Sequence, residues 1–366
     1  MSVIAQIATA LPTYQYQQSD LAAYMCDWLP WESREKEKLK LMYSRSGIET
    51  RYSVLSDFSK RTSEKPFFSN QTNQSRNLEE RMGFFDKSAP ELCIRAIQEC
   101  VNEPIHFSDI THLITVSCTG MSAPGLDIDL VQQLGLSTNI HRTSVNFMGC
   151  YAAIHALKQA DYICQSDPNA IVIVVCVELC SLHFQMEEDM DNITANVLFA
   201  DGAAAVLVVS DSVAQRKDLH GFGIRKFHSQ LSLNGKNDMA WRLSSTGFLM
   251  TLSAYIPQLI ENGVKELFGN AIHQMGISKD EIVHWAIHPG GRKILDTVQK
   301  ELNLPSEALR SSFETLKNYG NMSSPTILFV LKHLWDNAVN ASKPELTFAL
   351  AFGPGLTMET VMLENV

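Results

Sequence analysis

Apolar positions along this chain recur with two alternating periods. Residues 110–117 form a short run of Ile, Leu, Thr and Val, 127–136 carry apolar side chains at helical spacing, and 144–147 turn strand-like again. Strand, helix and strand in that succession predict a parallel βαβ unit. Residues 152–165 then place Ala153, Leu157, Ala160 and Ile163 near one helix face, followed by two apolar strands at 170–177 and 203–209. Residues 1–10 read as a first strand with no basic stretch ahead of it, unlike a signal peptide. Residues 56–81 are polar and predict an exposed surface excursion of loop and short helices, and 219–241 predict a hairpin or loop insertion.

The second half repeats the first. A helix at 326–335 is followed by apolar strands at 346–351 and 357–363. The segments opening the two helices also correspond: Asn146-Phe147-x-Gly149-Cys150 and Asn318-Tyr319-Gly320-Asn321 each run Asn, aromatic, then Gly and a polar residue. This is the mark of an internal duplication. The polar stretch 211–217 divides the halves, giving units 1–212 and 213–366.

Composition narrows the function classes. The chain has 366 residues, 45% hydrophobic, enough for a substantial core. No apolar run approaches the roughly 18 residues of a membrane span, which predicts a cytoplasmic protein. A net charge of −10 argues against general nucleic-acid binding. Eight cysteines without a CxxC pair form no zinc pattern or disulfide framework, so reduced thiols are expected and Cys176 reads as core.

One of those cysteines stands where chemistry is favoured. Cys150 lies between a strand and a helix, and free N–H groups and the dipole at a helix N-terminus favour thiolate over thiol. A buried free cysteine fits the same position. Two later segments answer it. In Trp285-Ala286-Ile287-His288-Pro289-Gly290-Gly291-Arg292 a strand ends at a histidine on a tight turn. In Lys317-Asn318-Tyr319-Gly320-Asn321-Met322-Ser323-Ser324-Pro325 a turn opens a helix with Asn321 in the place of Cys150.

These turns, with Ser46-Gly47-Ile48-x-x-Arg51 and the loop Phe352-Gly353-Pro354-Gly355, resemble the type III polyketide synthases, the chalcone synthase group of the thiolase superfamily, over nearly the whole chain. The resemblance implies an α/β protein with the five-layered α/β/α/β/α thiolase-like fold built from two duplicated halves, assembled as a homodimer. It implies Cys150 as nucleophile toward an acyl-CoA, His288 as its partner, and His288 with Asn321 as donors to the enolate formed when malonyl-CoA loses carbon dioxide. No metal, flavin or nicotinamide cofactor is needed for that chemistry. The Claisen condensation that follows, repeated, lengthens a poly-β-keto chain.

The resemblance also implies substrate contacts at Phe199, Met250, Ser323, Gly353, Pro354 and Gly355, with Phe248 as an alternative to Met250 for a second gate. Thr119, Ala123 and Cys180 match bacterial synthases whose cavity continues as a tunnel for an aliphatic chain, implying a medium or long fatty acyl starter and an alkylpyrone or alkylresorcinol type of product. His183 faces the same region by alignment, and a hydrogen-bonded core histidine is its plain reading; Cys118 is read as a packed thiol within reach of Cys150. Arg51, and less directly Arg45, match positions that contact CoA. The alternatives are a single-condensation ketoacyl synthase III-like enzyme, a thiol hydrolase and a catalytically silent CoA-binding scaffold; malonyl-CoA decarboxylation separates the hydrolase from a condensing enzyme.

Overall fold

The computed structural model describes all residues except 29–30, 59–66, 69–75, 186, 254 and 340–342. Its strands are β1 (Val3–Ala10), β2 (Tyr14–Gln17), β3 (Thr50–Ser53), β4 (His112–Ser117), β5 (His141–Asn146), β6 (Ile171–Leu179), β7 (Asp201–Val209), β8 (Phe222–Leu231), β9 (Met239–Ser244), β10 (Gly247–Leu252), β11 (Ile282–Ile287), β12 (Leu346–Gly353) and β13 (Thr357–Asn365). Its α-helices are α1 (Gln18–Trp28), α2 (Ser33–Arg45), α3 (Leu78–Cys100), α4 (Leu126–Leu134), α5 (Ala152–Ser166), α6 (Met190–Leu198), α7 (Asp211–Lys217), α8 (Ile256–Met275), α9 (Arg292–Glu301), α10 (Arg310–Tyr319) and α11 (Thr326–Val339).

Nine strands join in the order β11-β12-β13-β8-β1-β7-β6-β4-β5. The first half contributes β5-β4-β6-β7-β1, with β4 parallel to β6 and then antiparallel steps to β7 and β1. The second half repeats it as β11-β12-β13-β8, with the same parallel step followed by two antiparallel ones. Strand pairing between the halves is brief: Val3 and Ile4 pair with Gly223 and Phe222.

Burial of both sheet faces explains the uninterrupted apolar strands. Along β6, Ile171, Ile173, Val175 and Val177 pack with α3, whereas Val172, Val174 and Cys176 face the central helices. Along β12, Phe348, Leu350 and Phe352 face the outer helix α8, while Ala349 and Ala351 face the same central layer. That layer holds α5 and α11, whose Ala153, Ala156 and Ala160 and whose Ile327, Leu328 and Leu331 belong to one buried cluster between the strands of the two halves. Five layers result: α3, the first-half strands, α5 with α11, the second-half strands, and α8 with α9.

Two expectations are corrected. Residues 219–241 hold not an insertion but β8, a ten-residue strand paired with β13 along its length. Its polar side chains disguised it: Arg225 pairs with Glu364, and Ser229 donates to Glu359 at 2.7 Å. Within 56–81, Phe58, Phe67 and Phe68 are buried, and α3 begins at Leu78 under a capping box of Asn77 and Glu80; the remainder of that expectation lies outside the described residues. The stretch 211–217 is itself helical, as α7, capped by Ser210. Among the described residues no helix is long and apolar enough to cross a membrane.

Candidate active site

Three chain turns converge where the two halves meet. β5 ends at Asn146, and the chain reverses through Phe147 (φ 57°) and Gly149 (φ 81°) before α5 begins at Ala152, which brings Cys150 to the helix N-terminus. Only glycine fits position 149, since a Cβ there would stand 2.2 Å from Pro354 Cδ. The Gly353-Pro354 loop closes over the same turn: a Cβ on Gly353 would lie 2.5 Å from the Tyr151 ring and 3.3 Å from the Cys150 nitrogen.

The second turn leaves α10 through Gly320 (φ 70°) and Ser323 (φ 57°) and enters α11 at Thr326. Asn321 is 2% exposed, and its amide orientation is fixed from both ends. Its Oδ1 accepts from the Ser323 N–H at 2.8 Å, and its Nδ2 donates to the Gly290 carbonyl at 3.2 Å. One amide hydrogen is left over for Cys150. The Cys150 thiol in turn donates to Ser323 Oγ at 3.5 Å. His288 follows β11, its N–H donating to the Leu350 carbonyl at 2.8 Å. Its side chain is 1% exposed, and neither ring nitrogen has a hydrogen-bond partner among the described residues.

Burial works against the thiolate that the helix N-terminus favours. Burial pushes the Cys150 thiol up to about 12, against the opposing pull of Ser323 and Asn321, and burial also lowers His288 to about 3. The free N–H groups at the N-terminus of α5 act in the opposite sense on Cys150, toward the thiolate.

Glu178, which sequence reasoning passed over, is a fully buried carboxylate near this chamber. Its Oε1 accepts from Ser324 Oγ at 2.6 Å, and its Oε2 from the Cys118 N–H at 2.9 Å and Thr119 Oγ1 at 2.8 Å. A lone acid inside the apolar β6 was the available signal. Burial raises its pKa to about 7, above the ordinary glutamate value of 4.5. A carboxyl raised on folding costs nothing below the unfolded pKa and destabilises progressively as pH rises through the folded one. Glu178→Gln is accordingly expected to flatten the pH dependence of stability between those values, by on the order of 3 kcal/mol. Parallel melting-temperature curves for variant and wild type from pH 4 to 8 would refute this.

The substrate-contact candidates divide. Phe199, Cys180, His183 and Met250 line one pocket, together with Trp241 and Phe248. Phe199 also forms a β-bridge with Asn321, which places this cavity beside the chamber. His183 is a held core histidine: its Nδ1 accepts from the Phe248 N–H at 3.1 Å and its Nε2 donates to the Thr119 carbonyl at 2.7 Å. Thr119 spends its hydroxyl on Glu178, and Ala123 lies exposed in a loop, so neither lines the cavity of its own chain. The Cys118 thiol supports the nucleophile turn by accepting from the Gly149 N–H at 2.9 Å.

Arg51 is corrected. It is 2% exposed and its guanidinium donates to the carbonyls of Asn196 and Phe199 at 2.7 and 2.6 Å, where it braces the turn and no phosphate can reach it. Arg45 ends α2 and is exposed. Arg292, also unforeseen, opens α9 just past the His288 turn; its side chain is 59% exposed and packs on Gly47.

Comparison with known proteins agrees in extent and shape. The family models for the N-terminal and C-terminal domains of chalcone and stilbene synthases match residues 1–212 and 225–366. The chain is 30% identical over 367 residues to the alpha-pyrone synthesis polyketide synthase-like Pks18 of Mycobacterium tuberculosis, covering 100% of this chain and 92% of that protein. Among solved structures it superposes on PKS-I of the brown alga Ectocarpus siliculosus with TM-score 0.90 and 28% identity, covering 100% of this chain and 98% of that one. The C-terminal type III polyketide synthase domain of Steely1, a type I/III hybrid from Dictyostelium, gives TM-score 0.89 and 28% identity, with coverage of 100% and 99%.

Proposed function

This chain belongs to the chalcone and stilbene synthase family, the type III polyketide synthases, which are decarboxylating condensing acyltransferases; from that premise we propose that it loads a fatty acyl-CoA starter on Cys150 and extends it with malonyl-CoA. The observation that carries the reading is a chain of hydrogen bonds joining the three turns: the Cys150 thiol donates to Ser323 Oγ, the Ser323 N–H to Asn321 Oδ1, and Asn321 Nδ2 to the carbonyl of Gly290, two residues past His288, whose buried ring nitrogens have no partner among the described residues.

His288 takes the Cys150 proton as sulfur attacks the thioester carbonyl, and returns it to the departing CoA thiolate. Malonyl-CoA then loses carbon dioxide, and the electrons of the broken bond form an enolate whose oxygen accepts from His288 and Asn321. The enolate carbon attacks the acyl carbonyl, forming the carbon–carbon bond and releasing the Cys150 thiolate. The largely apolar cavity beyond Phe199 suits an aliphatic starter. Closure to an alkylpyrone or alkylresorcinol type of product completes the proposed reaction. The exposed guanidinium groups of Arg292, which also faces Asp296, and of Arg45 are the proposed contacts for the CoA phosphates, in place of the buried Arg51.

The protein is proposed to act as a cytoplasmic homodimer. The solvent-facing side chains of β5, at the sheet edge, support a partner there.

The test is mass spectrometry of products from a panel of straight-chain acyl-CoAs with malonyl-CoA. Products one or more two-carbon units longer than the starter are expected. Carbon dioxide release or thioester hydrolysis with no elongated product from any starter would overturn the proposal.

A further inference from the structure

We propose that Arg51 is a positioning residue for decarboxylation: through the end of α6 it fixes the backbone of Asn321 and so aims the amide that stabilises the enolate. This rests on the reading of Asn321 as a donor to that enolate. Arg51 stands on β3, and its Nη1 donates to the carbonyls of Asn196 and Phe199. Those carbonyls lie in the last turn and the cap of α6, where a helix leaves its C=O groups without partners and its dipole favours a cation.

The same few residues hold Asn321 on both sides. The Asn321 N–H donates to the Leu198 carbonyl at 3.0 Å, and the Ala200 N–H donates to the Asn321 carbonyl at 2.9 Å. Phe199, between them, gives its carbonyl to Arg51 at 2.6 Å. The stem of Arg51 packs against the turn itself: a Cβ on Gly320 would lie 2.9 Å from both Arg51 Cγ and Cδ. A displacement of Arg51 therefore reaches Asn321 by two routes, the segment that pairs with it and the glycine that precedes it.

Taking a guanidinium out of water is costly. Here the cost is offset by the two carbonyls and by the faces of Tyr43 and Phe184, 5.9 and 5.8 Å away. An alkyl chain of similar length would fill the space but leave both carbonyls without their donor.

The test compares wild type with Arg51→Met, Arg51→Lys, Asn321→Ala and the double variant Arg51→Met with Asn321→Ala. Release of labelled carbon dioxide from malonyl-CoA is measured beside acylation of Cys150, read by intact-protein mass with the straight-chain acyl-CoA that wild type accepts best. In Arg51→Met, kcat for decarboxylation should fall by on the order of 10²-fold, with KM for malonyl-CoA and the acylation rate changed far less. Lysine, whose ammonium is one bond short of Nη1, should recover part of that loss. In the Asn321→Ala background, Arg51→Met should cost no more than about twofold further, since the residue it positions is gone.

Unchanged decarboxylation in Arg51→Met, an equal fall in decarboxylation and acylation, or losses that multiply in the double variant would overturn the proposal. Should Arg51→Met fail to fold, Gly320→Ala, which forces a Cβ against the Arg51 stem, should lower decarboxylation more than acylation, and equal losses or none there overturn the proposal as well. If wild type releases no carbon dioxide from malonyl-CoA, or Asn321→Ala releases it at the wild-type rate, the reading of Asn321 falls first and the role of Arg51 with it.

Discussion

Cys150→Ala is expected to abolish elongated product, by on the order of 10⁴-fold or more, while carbon dioxide continues to be released from malonyl-CoA. The two activities separate because they use different atoms. Acyl transfer needs a covalent bond to sulfur, and alanine leaves no nucleophile. Decarboxylation needs only donors to the enolate oxygen, and the fixings of Asn321 and His288 do not pass through the thiol: Asn321 is held by the Ser323 N–H and the Gly290 carbonyl, and His288 by Leu350. The measurement is product mass spectrometry paired with release of labelled carbon dioxide. Elongation surviving in the variant would remove Cys150 from the mechanism.

The second large effect is expected at Asn321. Asn321→Asp keeps an oxygen to accept from the Ser323 N–H but removes both amide hydrogens, the one donated to the Gly290 carbonyl and the one left for the thiol side. Loss of one preorganised donor to a developing oxyanion costs about 10²–10³ in rate. Asn321→Ala should fall in the same range, and the aspartate variant at least as far, because a carboxylate beside an enolate adds repulsion. Starter loading on Cys150, read by intact-protein mass, should fall far less than carbon dioxide release. Unchanged decarboxylation in both variants would show that the amide is not a donor to the enolate.

Much of the architecture was legible as pattern. The strands at 170–177, 203–209, 346–351 and 357–363 fall within β6, β7, β12 and β13, because strands buried on both faces must be apolar throughout. The helices after Cys150 and Asn321 were legible from their apolar faces, and the duplication from the turns that open them. β8 was missed because its outward polar residues are satisfied by partners far away in sequence, Glu359 and Glu364, which no local window contains. Arg51 was misplaced for a related reason. A cation in a mixed-charge segment reads as surface, and only the fold reveals the Asn196 and Phe199 carbonyls that receive it.

The sequence by itself determined which residues could do chemistry and the order of the elements that carry them, since residue type, turn chemistry and hydrophobic period are local properties. Only the tertiary structure decided how those residues are charged and what surrounds them. Burial raises the Cys150 thiol and lowers the His288 imidazole, and desolvation of this kind depends on every element packed around a group. It also brought Cys180, His183, Phe199 and Met250 to one pocket, because a pocket is assembled from elements that meet only when the chain has folded.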